Sequence, residues 1–123
     1  MIHLTKEMVS EYRAAALRGQ EERIEGLAPM RDHAWVAARR AAEFLRQKFH
    51  ATRVVVFGSL VRPECFTVWS DIDIAAWDIA PEETFHAIST ILDNDKAFNI
   101  NLVDVNACRP SILKRILQEG IEI

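Results

Sequence analysis

An α/β sandwich of few strands, a small mixed sheet with helices laid over one face, is the fold the sequence predicts. Three observations carry the prediction. Residues 53–57, Arg-Val-Val-Val-Phe, form a β-branched run stopped by Gly58, and 72–77 form a second apolar run. Helical periodicity precedes, separates and follows these runs, giving the order helix, helix, strand, loop, strand, helix, strand, helix. The link from Phe57 to Ile72 is too long for a tight hairpin and holds the least ordinary residues of the chain.

Taken in order, residues 4–25 place Leu4, Met8, Tyr12, Ala15 and Ala16 at helical spacing, with Thr5 as N-cap and Gly19 and Gly26 weakening the far end. After Pro29, a second helix spans Arg31 to His50. Its stripe of Trp35, Ala38, Ala42, Leu45 and Phe49 reads as core, and Arg39, Arg40, Arg46 and Lys48 read as a solvated face. The unbroken apolar strand from Arg53 to Phe57 predicts cover on both faces. Pro81 opens a helix with Glu82 and Glu83 at its dipole-positive end and Phe85, Ile88, Ile91 and Leu92 on its buried face. Asp93-Asn94-Asp95 reads as a turn and Phe98 to Val105 as a strand. A last helix from about Ser111 ends at Gly120, read as a left-handed cap with Ile121 packing back.

The chain has 123 residues, half of them apolar, enough for one sizeable core. A formal charge of -3 argues against binding a long nucleic acid through bulk positive charge. Cys65 and Cys108 lie far apart, the N-terminus lacks the apolar core of a secretion signal, and no run approaches the length of a membrane span. The expectation is a cytoplasmic protein with reduced thiols and no membrane association. His3, His33, His50 and His86 are scattered without zinc-ligand spacing.

The chemistry concentrates between Gly58 and Asp73. Asp71 and Asp73, two apart on a strand, point the same way. If half-buried, two carboxylates about 5 Å apart repel by roughly 3 kcal/mol at an effective dielectric near 20. A divalent cation reverses that sign, and oxygen-only ligands at this spacing suit Mg²⁺ beside a substrate's phosphates. The competing reading is a solvated acidic turn, in which bulk water screens the repulsion and no metal is needed. Gly58-Ser59 adds a second element: glycine lets backbone approach a ligand, and the strand-to-helix turn with the Ser59 hydroxyl offers donors to phosphate oxygens.

Gly58-Ser59, the spacer 60–70 and Asp71-Ile72-Asp73 resemble the signature of DNA polymerase β-like nucleotidyltransferases, specifically the minimal nucleotidyltransferase (MNT) group. The likeness runs from about residue 31 to the end and includes Arg62, Ser70, "NLVDV" at 101–105 and the closing "ILQEGIEI". It implies a minimal nucleotidyltransferase domain over 31–123, preceded by an added helical extension over 1–30. It also implies that Gly58, Ser59, Arg62 and Ser70 hold the triphosphate of a nucleotide, usually ATP, that Asp71 and Asp73 bind Mg²⁺, and that AMP passes to a hydroxyl. Many MNT proteins are antitoxins encoded beside a HEPN-domain RNase toxin, and some silence it by placing AMP on a tyrosine.

Two departures qualify the resemblance. The family's third acid falls at Asn101, and Asp104, three residues on, faces the other side of a regular strand unless a bulge intervenes. A tyrosine acceptor, with a pKa near 10, depends less on a dedicated base than a sugar does, which keeps turnover open. The loop after Arg62 carries Cys65, Phe66 and Trp69, which either meet a ligand or partner or close over the core. Beside the adenylyltransferase antitoxin stand two rivals: an antitoxin of the same fold that acts by binding alone, favoured by Asn101, and a small-molecule nucleotidyltransferase, disfavoured by a chain short for a drug-holding domain.

Overall fold

The computed structural model describes residues 5–94 and 97–123. Thr5 opens the first helix as expected, its Oγ1 accepting from the Met8 backbone N–H at 3.2 Å. That helix, α1 (Lys6–Phe49), then runs 44 residues without a break, through Gly19, Gly26 and Pro29. The two separate helices expected on either side of Pro29 are therefore one, and the boundary drawn at residue 30 falls inside it. An internal proline costs about 3 kcal/mol through its lost N–H and its ring. Contacts on both sides of Pro29 offset this. Leu27 and Met30 pack against the core, and the Arg23 guanidinium donates to the Phe66 carbonyl at 2.7 Å and to the Glu64 carbonyl. Earlier in the helix the stripe drawn through Tyr12, Ala15 and Ala16 is not buried, and Tyr12 is 64% exposed. In the later stripe Ala38, Ala42, Leu45 and Phe49 are buried as expected and Trp35 is half-buried, and Ala34, Ala37 and Ala41 widen it. His50, in the left-handed region at φ 59°, closes the helix with its N–H on the Leu45 carbonyl.

Four strands follow: β1 (Arg53–Phe57), β2 (Ile72–Trp77), β3 (Ile100–Asp104) and β4 (Ile121–Glu122), in the spatial order β3-β2-β1-β4. β1 pairs antiparallel with β2 and β4, and β2 pairs parallel with β3, so the sheet is mixed. β4 lies where the sequence suggested only a tail packing back. Gly120 before it is extended, with φ -71° and ψ 153°, rather than left-handed. Its lack of a side chain has another use, since a Cβ there would collide with Val55 Cγ1 and the Ile116 carbonyl.

Helices cover both faces of the sheet, where the sequence suggested one. Val54, Val56, Ile72, Ile74 and Ala76 point into a core closed by α1 and by α2 (Thr84–Asn94) through Ala87 and Ile91. Val55, Phe57 and Ala75 point the other way, against Ile112, Leu113 and Ile116 of α3 (Pro110–Glu119). α2 is preceded by a 3-10 turn at Pro81–Glu83. Phe85, expected on its buried face, is 84% exposed, because Ala87 and Ile91 define the packed side. Asp93 and Asn94 end α2 in helical conformation rather than forming a turn, and Leu4 and Asp95 lie outside the described residues. Among the described residues no helix is long and apolar enough to cross a membrane.

Candidate functional site

The site stands at one end of the α3 face of the sheet. β1 ends at Phe57, whose partner on β2 is Asp73, and Asp73 is partnered in turn by Asn101 on β3. Residues in register share a face, so Asp73 and Asn101 face the same way as Phe57. The sheet therefore places the acids, the third-position amide and the glycine-serine turn at neighbouring strand ends.

Gly58 makes the approach close. Its φ is +76°, where a side chain is strained, and a Cβ built on it would overlap Asp73 Oδ2 and lie 3.2 Å from Cγ. The carboxylate thus rests directly on the glycine backbone. Gly58–Val61 forms a short 3-10 turn whose last carbonyl bonds are local, with Arg62 N–H on the Ser59 carbonyl at 3.1 Å. Ser59 lies within this turn and Arg62 follows it.

Asp71 and Asp73 converge on a single point. The Asn101 Nδ2 donates to Asp71 Oδ2 at 3.3 Å and to Asp73 Oδ1 at 3.2 Å, and Asn99 Nδ2 reaches Asp71 Oδ1 at 3.4 Å. Burial raises the Asp73 pKa above its ordinary value; the Asn101 hydrogen bond lowers it, neighbouring Asp71 raises it and the positive charge of Arg115 lowers it. Asp104 does not join them. The β2–β3 register is unbroken through Ala76 and Asp104, so no bulge turns it, and it stays on the opposite face. There Oδ1 accepts from the Asn106 N–H at 3.0 Å and Oδ2 from the Thr84 hydroxyl at 3.3 Å.

The donor set is all oxygen, which suits a hard divalent cation. Two half-exposed carboxylates, one on β2 and one just before it, could hold a cation such as Mg²⁺, which keeps waters and accepts further oxygen ligands. Among the described residues no group of three His, Cys, Asp or Glu could hold a metal ion, so a closed structural site is not built here.

The neighbouring residues divide between scaffold and rim. Ser70 Oγ accepts from the Thr67 N–H at 2.8 Å, closing the turn that presents Asp71. Phe66 is fully buried in the core, whereas Trp69 is 87% exposed and Cys65 is exposed. Arg62 does not pair with Glu64; its Nη2 lies 3.8 Å from Glu119 Oε2, which is 3.9 Å from Arg115 Nε. Sequence reasoning missed Asn99, Arg115 and Glu119. Asn99 carried a readable signal, since it alternates with Asn101 as Asp71 does with Asp73. Arg115 and Glu119 carried none beyond helical spacing, because nothing in a lone sequence says which helix crosses the acidic end of the sheet.

The model of the polymerase beta nucleotidyltransferase family matches residues 40–123. No curated protein sequence matches. Among solved structures, a mutant MntA-HpeT toxin-antitoxin complex contains a chain similar to this one at 15% identity and TM-score 0.57, over 69% of this chain and 70% of that one. A MntA-HepT toxin-antitoxin complex gives 15% and 0.54, over 72% and 69%. The complex of a tri-AMPylated Shewanella oneidensis HEPN toxin with MNT antitoxin gives 15% and 0.53, over 72% and 70%. At such identity the structural likeness is one of fold, and the family match, spanning more than half the chain, settles membership. This chain, a four-stranded mixed sheet with paired aspartates set against a glycine-serine turn, belongs to the polymerase beta nucleotidyltransferase family.

Proposed function

We propose that this protein is an Mg²⁺-dependent nucleotidyltransferase that moves AMP from ATP to a hydroxyl, the acceptor being a tyrosine of a cognate HEPN toxin. The observation that carries the reading is that Asp71 and Asp73 share one donor, Asn101 Nδ2, while the other oxygen of Asp73 lies against the Gly58 backbone. Two like charges held together in a half-buried place cost stability unless a cation binds between them. The fold shared with the antitoxin chains of toxin-antitoxin complexes supports the partner.

In this reading each part has a task. When bound, Mg²⁺ supplies positive charge that neutralises the phosphate oxygens as the phosphorus centre is attacked. Asp71 and Asp73 hold that charge in place. Gly58 and Ser59 take the triphosphate by close backbone approach and a hydroxyl donor, and Arg62 meets its outer charge. The acceptor oxygen forms a bond to the α-phosphorus, the α–β phosphoanhydride bond breaks, pyrophosphate leaves and the hydroxyl proton passes to solvent. Fixed geometry and charge do most of the work in such a transfer. Asn101 supplies no base, and a phenol, far more acidic than an alcohol, tolerates that best.

Incubating the protein with ATP, Mg²⁺ and the HEPN protein encoded beside it, then weighing that partner by mass spectrometry, tests the reading. Added AMP is expected, and none with Asp71→Ala. The same Asn101 favours a second reading, an antitoxin of this fold that works by binding alone. Under that reading Asp71→Ala neutralises the toxin as well as the native protein does, and the partner's mass never changes.

A further inference from the structure

The α3 helix brings charges to the site that the family signature does not contain. Glu119 Oε2 lies between two guanidiniums, 3.8 Å from Arg62 Nη2 and 3.9 Å from Arg115 Nε. These are ion-pair distances too long for hydrogen bonds. Consistently, Arg62 Nε and Glu119 Oε2 are buried atoms without a hydrogen-bond partner, although the Arg62, Arg115 and Glu119 side chains are 40%, 55% and 33% exposed. An ion pair this long, with no hydrogen bond between its partners, is weak and readily exchanged for a stronger anion. Arg62 follows the Gly58–Val61 turn directly, and the positive charge of Arg115 acts to lower the pKa of Asp73. Glu119 therefore links Arg115 to the guanidinium that follows the glycine-serine turn.

Resting on the nucleotidyltransferase reading, we propose that Arg115 is a second phosphate-binding residue, gripping with Arg62 the pyrophosphate part of the nucleotide. Glu119 is the positioning residue that holds both guanidiniums at the rim and yields them when the triphosphate arrives. Phosphate oxygens offer each guanidinium charge-assisted, forked hydrogen bonds that the present carboxylate does not make. Because Glu119 is itself an anion beside both guanidiniums, it also competes with the ligand for the same charges.

Calorimetric titration with Mg²⁺-ATP, Mg²⁺-tripolyphosphate and AMP tests this on the native protein and on Arg115→Gln, Arg115→Lys, Glu119→Gln and Asp73→Asn. Arg115→Gln is expected to weaken Mg²⁺-ATP and Mg²⁺-tripolyphosphate alike by about tenfold while leaving AMP unchanged, and Arg115→Lys to restore part of the loss. Glu119→Gln is expected to tighten both polyphosphates by about threefold. A loss shared equally by AMP marks a structural role for Arg115 and overturns the assignment, and weaker polyphosphate binding by Glu119→Gln overturns its role as competitor. If Arg115→Gln binds Mg²⁺-ATP like the native protein while Asp73→Asn does not, the inference falls and the nucleotidyltransferase reading stands. If the native protein ignores Mg²⁺-ATP, both fall.

Discussion

The two faces of the sheet receive different cover. On one face α1 and α2 close over Val54, Val56, Ile72, Ile74, Ala76 and Ile100, leaving those side chains between 0% and 3% exposed. On the other, the ten residues of α3 reach Val55, Phe57 and Ala75, and the rows Asp71, Asp73 and Asn101 continue past the helix into solvent. The same three strands thus build a sealed core on one side and an open acidic end on the other. Alternation along a strand makes this possible: Ile72 and Ile74 hold β2 in the core while Asp71 and Asp73 are free to do chemistry. Stability and ligand binding are assigned to opposite sides of one backbone.

That division predicts that mutations on the two faces fail differently. The largest effect belongs to the sealed side. Leu45→Ala, at a fully buried position against the sheet, is expected to lower unfolding free energy by about 2–5 kcal/mol in urea titrations. Below the unfolding transition the variant should still bind Mg²⁺-ATP. Loss of binding in folded protein would show that the two faces are not independent.

Next comes Gly58→Ala, which strikes the join between strand end and site. The added methyl meets the Asp73 carboxylate at a backbone φ of +76°, so strain of about 1–3 kcal/mol is expected together with displacement of Asp73. Here melting temperature and Mg²⁺-ATP affinity should fall together, measured by thermal denaturation and calorimetry on one sample. An intact affinity would separate Gly58 from the site.

Asn101→Asp sharpens the contrast by changing only the open side. It removes the amide that bridges Asp71 and Asp73 and puts a third carboxylate in its place. With a chelator present, stability is expected to fall by about 1–3 kcal/mol, since two acceptors lose their donor and three like charges meet. Added Mg²⁺ should reverse the loss, giving a melting temperature that depends on the metal more steeply than in the native protein. AMP transfer, followed by mass spectrometry, should rise as well. Equal melting temperatures with and without Mg²⁺ would argue that no cation sits among these residues.

How much of this was legible in the sequence follows the same division. β1, β2 and the stripe from Ala38 to Phe49 were readable because each rests on local period. The unreadable parts depend on contacts far apart in the chain. α1 continues through Pro29 because Arg23 is tied to the 64–66 loop and Leu27 and Met30 reach the core, and no local propensity reveals those partners. β4 has two residues, too few for a period, and exists because β1 has a free edge beside Gly120. Phe85 reads as core by hydrophobicity, yet the side of α2 facing α1 and the sheet is set by Ala87 and Ile91. Cover on both faces was already implied by the unbroken apolar run of β1, buried on Val54 and Val55 alike, and conflicts with helices over one face alone.

The smallest expected effect has the opposite sign, and it separates the faces most cleanly. Burial raises the pKa of Asp73 from its ordinary 3.8, so the folded protein holds that proton more tightly than the unfolded chain does. Stability linked to this group is therefore greatest at a pH below 3.8, falls as pH rises through the window between the ordinary and the raised value, and stays at its lower level above it. Asp73→Asn removes the ionisation and with it the pH-dependent loss. In chelator, its melting temperature is expected to exceed that of the native protein at pH 7, and the margin should shrink as the pH is lowered toward 3.8. The same substitution should abolish Mg²⁺-ATP binding, because one of the two converging carboxylates is gone. A substitution that stabilises the fold while removing its ligand is what an open, functional face predicts, and no position in the α1 face should behave so. A margin that does not change with pH would mean that the charge of Asp73 is already compensated in the free protein, and that the acidic end of the sheet stores no strain for a cation to relieve.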